Sequence, residues 1–269
     1  MLLGAKNGTV KIGNTEMDYV VFGRGRENLM MIPGLGDGLK TAKGTAALMA
    51  MLYRKYGKSY KVYMFSRKNK LEEHSSIRDM ANDQRDAMEK LGIAKAHVVG
   101  ISQGGMIAQW LALDYPSAVD KLVLAVTIAR PNDTANRVIG SWIELATKND
   151  YRSLFIDMME KSYTEKYKEK YRRLYPLLTR IGRPKNFTRF IIQANAILQH
   201  NAYAELEKIH CPTLIIGANQ DEIVGAQSSQ EIAKRITGCK LLLYEGFGHG
   251  VYEEAKDFNQ QILDFLHSV

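Results

Sequence analysis

The chain has 269 residues, 45% of them hydrophobic and 25% charged, with a formal net charge of +8. That balance argues against disorder as the main state, and the length permits one large α/β domain or two smaller ones with a substantial core. No apolar run reaches the ~18–20 residues that span a bilayer, and residues 1–9 carry no sustained apolar leader; a cytoplasmic protein with no membrane partner is the expectation.

Short β-rich runs alternate with helical stretches, which predicts an α/β fold with a mostly parallel sheet flanked by helices. The early strands are read at Gly8–Ile12, Met17–Gly23 and Asn28–Ile32, and the Gly13-Asn14 turn makes the first two an antiparallel hairpin. A helix is expected over Thr45–Tyr56, a strand over Lys61–Phe65 and an amphipathic helix over Ser76–Leu91, ended by Gly92. Ala96–Gly100 reads as a strand, Gly104–Leu113 as an apolar helix and Lys121–Val126 as a buried strand.

Strand signals then vanish from Pro131 to Tyr203, where the pattern is helical with a break at Gly182-Arg183-Pro184. Strands return at Cys211–Gly217 and Lys240–Tyr244, with helices at Ser228–Ile236 and Lys256–Leu266. Eight strands result. The expected organisation is a core of residues 1–130 and 204–269, with residues 131–203 inserted between two strands of one sheet as a helical cap.

The chemistry centres on Gly100-Ile101-Ser102-Gln103-Gly104, a G-x-S-x-G pattern placed between a strand and an apolar helix. Glycine is needed on both sides of so sharp a turn, and the following helix N-terminus favours negative charge near Ser102. A serine needs a base. Of six histidines, His249 follows the last strand in Gly246-Phe247-Gly248-His249-Gly250, the loop that would present an imidazole to Ser102. His97 starts the strand that leads to Ser102 and belongs at the far end of the sheet; His74, His200, His210 and His267 fall at surface or helix-end positions.

A base needs a carboxylate to fix its tautomer. Asp221 lies in the loop after the preceding strand, and its neighbour Glu222 is expected to face solvent. For a developing oxyanion, backbone N–H groups are expected from Gln103 and from the loop Pro33-Gly34-Leu35-Gly36-Asp37-Gly38, with Leu35 as the donor; an ordinary glycine-rich turn is the alternative for that loop. No G-K-[ST] follows, which argues against a phosphate loop.

Together these residues resemble the α/β-hydrolase superfamily, specifically its capped, single-domain members. Gly100–Val126, Cys211–Ile236 and Phe247–Phe265 carry the likeness. The resemblance implies a hydrolase without cofactor or metal, cleaving a small-molecule carboxylic ester, thioester or lactone through an acyl-enzyme on Ser102, with His249 as base and Asp221 behind it. The same triad also serves C–C bond hydrolases, amidases and perhydrolases, and a ligand-sensing protein with little turnover is a further alternative. Two departures stand out. Pro33-Gly34 occupies the place of a common His-Gly, and Ser66-Arg67-Lys68-Asn69-Lys70 replaces an Asp-x-Arg-Gly-x-Gly run, which predicts a more basic pocket rim.

Two features remain. Between Lys161 and Arg189 ten Lys or Arg face two acids, with Tyr163, Tyr167, Tyr171 and Tyr175 interleaved. The tyrosine spacing predicts one packed helical face with solvated lysines between, rather than a nucleic-acid surface; attraction of an anionic substrate is the alternative use of the charge. Cys211 and Cys239 have neither metal-ligand nor disulfide spacing and are expected to be reduced, partly buried thiols.

Overall fold

A computed structural model describes residues 2–268. Its strands are β1 (Lys6–Ile12), β2 (Thr15–Phe22), β3 (Glu27–Ile32), β4 (Tyr60–Lys68), β5 (Ala96–Ile101), β6 (Val119–Ala125), β7 (Thr213–Ala218) and β8 (Lys240–Tyr244). They form one sheet in the order β1-β2-β4-β3-β5-β6-β7-β8. The hairpin is present, with Ile12 opposite Thr15 and Gly13 at φ +57 in the left-handed region its turn requires. From β3 to β8 all pairings are parallel. Every residue of β5 and β7 is buried, as expected of strands covered on both faces.

The helices are α1 (Ala46–Leu52), α2 (Tyr56–Ser59), α3 (Ile77–Lys90), α4 (Gln103–Asp114), α5 (Asp133–Thr147), α6 (Tyr151–Ser162), α7 (Glu165–Tyr171), α8 (Tyr175–Ile181), α9 (Thr188–Gln199), α10 (Ser228–Ala233), α11 (Val251–Glu254) and α12 (Phe258–His267). Helix α3 starts on a capping box in which Ser76 Oγ accepts from Asp79 N at 3.1 Å and Ser76 N donates to Asp79 Oδ2 at 2.9 Å. Its apolar side, with Met80, Ala81 and Met88, joins α4, α5 and α9 on one face of the sheet. Ala46 and Ala50 of α1 and Phe258 and Ile262 of α12 cover the other face. Each large aliphatic side chain so buried contributes about 1.5–3 kcal/mol.

Two expectations shift in detail. The helix read over Thr45–Tyr56 breaks at Tyr53 (φ −103, ψ 26), whose ring turns to line a cavity while Tyr56 buries and donates its hydroxyl to Asn259 Oδ1 at 2.9 Å. The closing helix begins at Phe258, and the separate short α11 starts two residues after His249, with Gly250 between. Helices α5 to α9 all lie between β6 and β7, and the chain between α8 and α9 contains the Gly182-Arg183-Pro184 break. No helix among the described residues is long and apolar enough to cross a membrane.

Candidate active site

Ser102 sits between β5 and α4 at φ +55 and ψ −121, a region that a side chain enters only when its surroundings hold it there. Ser102 N donates to Ala125 O at 2.9 Å, and Thr127 Oγ1 donates to Ser102 O at 2.7 Å. The flanking glycines are required by contact. A Cβ at Gly100 would stand 2.4 Å from Gly104 O, and one at Gly104 would stand 1.9 Å from Ile32 O. The turn therefore packs against β3, which places Ser102 beside the loop that follows β3; Gly34 there would bring a Cβ within 3.2 Å of Ser102 Cβ.

Leu35 opens a 3₁₀ turn, Leu35–Gly38, and Gln103 opens α4. First residues of helices have no acceptor within the helix, and neither Leu35 N–H nor Gln103 N–H finds one elsewhere among the described residues. Two unsatisfied backbone donors thus border Ser102.

Asp221 and His249 meet. His249 Nδ1 lies 2.8 Å from Asp221 Oδ2, and both residues are buried. Asp221 Oδ1 accepts from Ile223 N at 2.9 Å and Val224 N at 3.0 Å, so both carboxylate oxygens have partners. The adjacency of β7 and β8 explains the meeting, because the loops that leave them are laced together: Asn219 N donates to Tyr244 O, Gln220 N to Phe247 O and Gly246 N to Asn219 Oδ1. Glu222 is exposed, as expected. Among the described residues no hydrogen bond joins Ser102 Oγ to the His249 ring, yet both line one cavity of about 490 Å³. Such bonds commonly tighten only when substrate is in place.

The other histidines stand apart. His97 lies near Glu27 and Asp120, at the opposite end of β5 from Ser102. His200 ends α9 but is buried, accepting from Trp110 Nε1 at 3.3 Å, and burial pushes its pKa down to about 3. Cys211 and Cys239 are free and half-buried, and burial raises both thiols. Among the described residues no group of three His, Cys, Asp or Glu is placed to hold a metal ion.

The basic rim is a correction. Arg67 is fully buried beneath the loop after β3, not on a rim. Its Nη2 donates to Pro33 O at 2.5 Å and to Gln103 Oε1 at 2.9 Å. Asp37 Oδ2 accepts from Arg67 N at 3.0 Å and from Arg189 Nη2 at 2.7 Å. Burial lowers the Arg67 pKa to about 10, which leaves it charged at neutral pH. Lys68 bonds Asp83 at 3.0 Å. The partners of Arg67 are far apart in sequence, so only the fold reveals its position.

The cavity walls include six of the 12 methionines, Met31, Met49, Met64, Met106, Met158 and Met159. Trp142 and Phe155 of α5 and α6 join them. Thioether walls are apolar and adapt to irregular ligands. The sequence gives no sign of this grouping, since these methionines come from several separate elements. The tyrosines of the basic stretch also differ from expectation. Tyr163 follows α6, Tyr167 and Tyr171 belong to α7 and Tyr175 opens α8, so no single helix carries them. Tyr163 and Tyr167 stack at 4.5 Å, and Tyr163 donates to Glu253 Oε2 at 2.8 Å. Gly250 is glycine because Tyr163 lies there: a Cβ would meet its ring at 2.4 Å.

A family model of the alpha/beta hydrolase fold matches residues 29–256, and the chain belongs to that family. RutD of Caulobacter segnis, provisionally named a carbamate hydrolase, is 27% identical over 71% of this chain and 73% of its own. A 2-hydroxy-6-oxononadienedioate/2-hydroxy-6-oxononatrienedioate hydrolase from Pseudomonas is 25% identical over 98% of this chain and 93% of its own. Among solved structures, an alpha/beta hydrolase enzyme from a Medee basin deep-sea metagenome library superposes with a TM-score of 0.87 at 20% identity, covering 97% of this chain and 98% of that one. The enol-lactonase from Burkholderia xenovorans superposes at 0.82 and 19% identity, covering 97% and 100%. At those identities the two structures speak for the fold.

Proposed function

We propose that the chain is a serine hydrolase that cleaves a small-molecule carboxylic ester, thioester or lactone. The observation that carries this reading is the Ser102 turn at φ +55, sharing one cavity with an imidazole that a buried carboxylate holds at 2.8 Å. Ser102 Oγ attacks the carbonyl carbon while His249 Nε2 takes the hydroxyl proton. The oxyanion points at Leu35 N–H and Gln103 N–H, and the α4 N-terminus adds favourable potential. His249 then protonates the leaving group, and in the second half it activates water against the acyl-enzyme. Asp221 keeps the proton on Nδ1 and stabilises the imidazolium. Residues 131–203 act as the cap over this cavity, with the rest of the chain as the core.

The acyl group that suits these walls is apolar and uncharged. A C–C bond hydrolase reading has support from the relative named for dioate substrates. A dianion needs cations on the lining, however, and both nearby guanidinium groups are engaged: Arg189 bonds Asp37, and Arg67 bonds Pro33 O and Gln103. Lys40 is the Lys or Arg that remains on the lining, which also carries the acidic Asp37 and Glu253. The ester, thioester or lactone reading is therefore preferred. The test is a panel of neutral acyl esters of rising chain length beside dicarboxylate substrates, each run with Ser102→Ala. Turnover of neutral esters that vanishes in the variant is expected; preferred turnover of the dicarboxylates, or a variant as active as the parent, contradicts it.

A further inference from the structure

The catalytic reading leaves the basic stretch Lys161–Arg189 unused. Four of its ten cations have acidic partners: Lys161 with Asp157, Lys168 and Arg172 with Glu160 and Glu165, and Arg189 with Asp37. The other six, Lys166, Lys170, Arg173, Arg180, Arg183 and Lys185, are exposed and have no acidic partner among the described residues. Between them runs an exposed apolar stripe. Leu174, Leu177 and Ile181 are 44%, 54% and 74% accessible; Leu177 and Ile181, four residues apart, share one face of α8, and Leu174 stands in the 3₁₀ turn just before it. Arg180 lies on α8 beside that stripe, and Arg173 lies in the preceding turn next to Leu174.

A second stripe has the same character. On α1, Leu48, Met51 and Leu52 are exposed, with exposed Lys43, Arg54 and Lys55 around them. Six of the eight large exposed hydrophobic residues among those described lie in these two stripes, so they are not the scattered apolar side chains that every surface shows. Both border the same cavity: Met49 and Tyr53 line it from α1 and its end, and Gly182 lines it at the end of α8.

We propose that this face docks on an anionic lipid surface, with Leu177 and Ile181 entering the headgroup boundary and the six unpaired cations meeting the lipid charge. Unpaired Lys and Arg beside a short aliphatic stripe match the requirements of interfacial binding, since their long stems let the apolar residues sink while the charged heads stay in water. Two other occupants fit worse. A second copy would set the same cations against one another across a symmetric contact. A protein partner fits worse because the fully buried core of such an interface is depleted of charge, whereas here six unpaired cations surround three aliphatic residues that are 44%, 54% and 74% accessible. The inference departs from the sequence expectation of no membrane partner. It rests on the hydrolase reading only for its consequence, that an ester dissolved in such a surface lies near the cavity.

The experiment is cosedimentation of the Ser102→Ala chain with vesicles of phosphatidylglycerol and phosphatidylcholine, against phosphatidylcholine alone, at low and high salt. Using that variant separates docking from catalysis, because turnover of a soluble ester by the parent tests the catalytic reading without vesicles. Binding to the anionic vesicles alone, lost at high salt, is expected. Arg173→Glu with Arg180→Glu should weaken it about tenfold or more, and Leu177→Asp with Ile181→Asp should weaken it at unchanged salt. No binding to anionic vesicles at low salt overturns the proposal. So does binding that ignores the Leu177 and Ile181 changes, which would assign it to net charge, or a concentration-dependent dimer that those changes abolish, which would assign the stripe to a second copy.

Discussion

Arg67 Nη2 reaches Gln103 Oε1 at 2.9 Å and, from the same nitrogen, Pro33 O at 2.5 Å. One buried guanidinium therefore ties together the two chain segments whose amides, Leu35 N–H and Gln103 N–H, are proposed to receive the oxyanion. Gln103 Nε2 continues the line to Gln193 O at 2.9 Å, which joins α9 to the same cluster.

Loosening that tie should cost rate more than affinity. Arg67→Met leaves Asp37 paired with Arg189, so no carboxylate is orphaned. The expected outcome is a kcat lowered by about 10²- to 10³-fold, the scale of losing one oxyanion donor, with KM little changed. Gln109→Leu is the control for general destabilisation, since Gln109 bonds Ile128 O and His200 away from the cavity. It should lower Tm and spare kcat. Equal kcat losses in both variants would assign Arg67 to stability alone.

Asp221→Asn keeps the size of a side chain that accepts from Ile223 N and Val224 N. What it removes is the carboxylate at His249 Nδ1. A kcat loss of up to about 10⁴-fold is expected, from the wrong imidazole tautomer and an unstabilised imidazolium. Steady-state kinetics on a neutral ester, with circular dichroism to verify folding, measures it; a loss under tenfold would move the supporting role elsewhere.

His200 makes stability depend on pH. Burial lowers its pKa from the ordinary 6.5 to about 3, so the unfolded chain takes up a proton first as pH falls through 6.5, and the folded chain follows only near 3. The contribution is therefore fully present above about pH 6.5 and is lost progressively below it, by at most about 1.4 kcal/mol per pH unit. Thermal melts from neutral to mildly acidic pH should show Tm falling, and His200→Asn should flatten the slope at some cost in stability at neutral pH. A slope unchanged by the substitution would place the titrating group elsewhere.

Two glycines should respond in opposite ways to alanine. At Gly104 a Cβ would stand 1.9 Å from a carbonyl oxygen of β3, with no flexible side chain to yield. Gly104→Ala should prevent native folding or cost several kcal/mol, on the scale of severe core overpacking. Gly140, inside α5, has nothing within 4 Å of its Cβ position. Gly140→Ala should stabilise by about 0.5–1 kcal/mol through helix propensity. Chemical denaturation distinguishes the two, and a tolerated Gly104→Ala would mean that β3 and α4 can separate.

Much of the fold was legible because local signals agreed. Buried parallel strands read as apolar runs, Gly13-Asn14 marked the hairpin, and glycines at 100 and 104 marked a turn where Cβ atoms do not fit. Asp221 and His249 were legible because each follows a strand and those strands proved adjacent. The rest depends on contacts between distant segments. Nothing local tells that Arg67 turns inward to Pro33 O and Gln103, that methionines from separate elements share one cavity, or that Gly250 is small because Tyr163 lies over it. The Lys161–Arg189 stretch was misread as one helical face because chain breaks at Tyr163 and Arg172–Leu174 interrupt a four-residue spacing that sequence alone cannot interrupt.

The central claim is that Ser102 is a nucleophile activated by His249, and covalent capture tests it most directly. A fluorophosphonate probe followed by peptide mass analysis should modify the parent chain at Ser102 alone. His249→Ala should slow that reaction by about 10³-fold or more, and Ser102→Ala should abolish it. Modification at another residue, or a Ser102 that stays unmodified while the parent chain hydrolyses esters, would contradict the account.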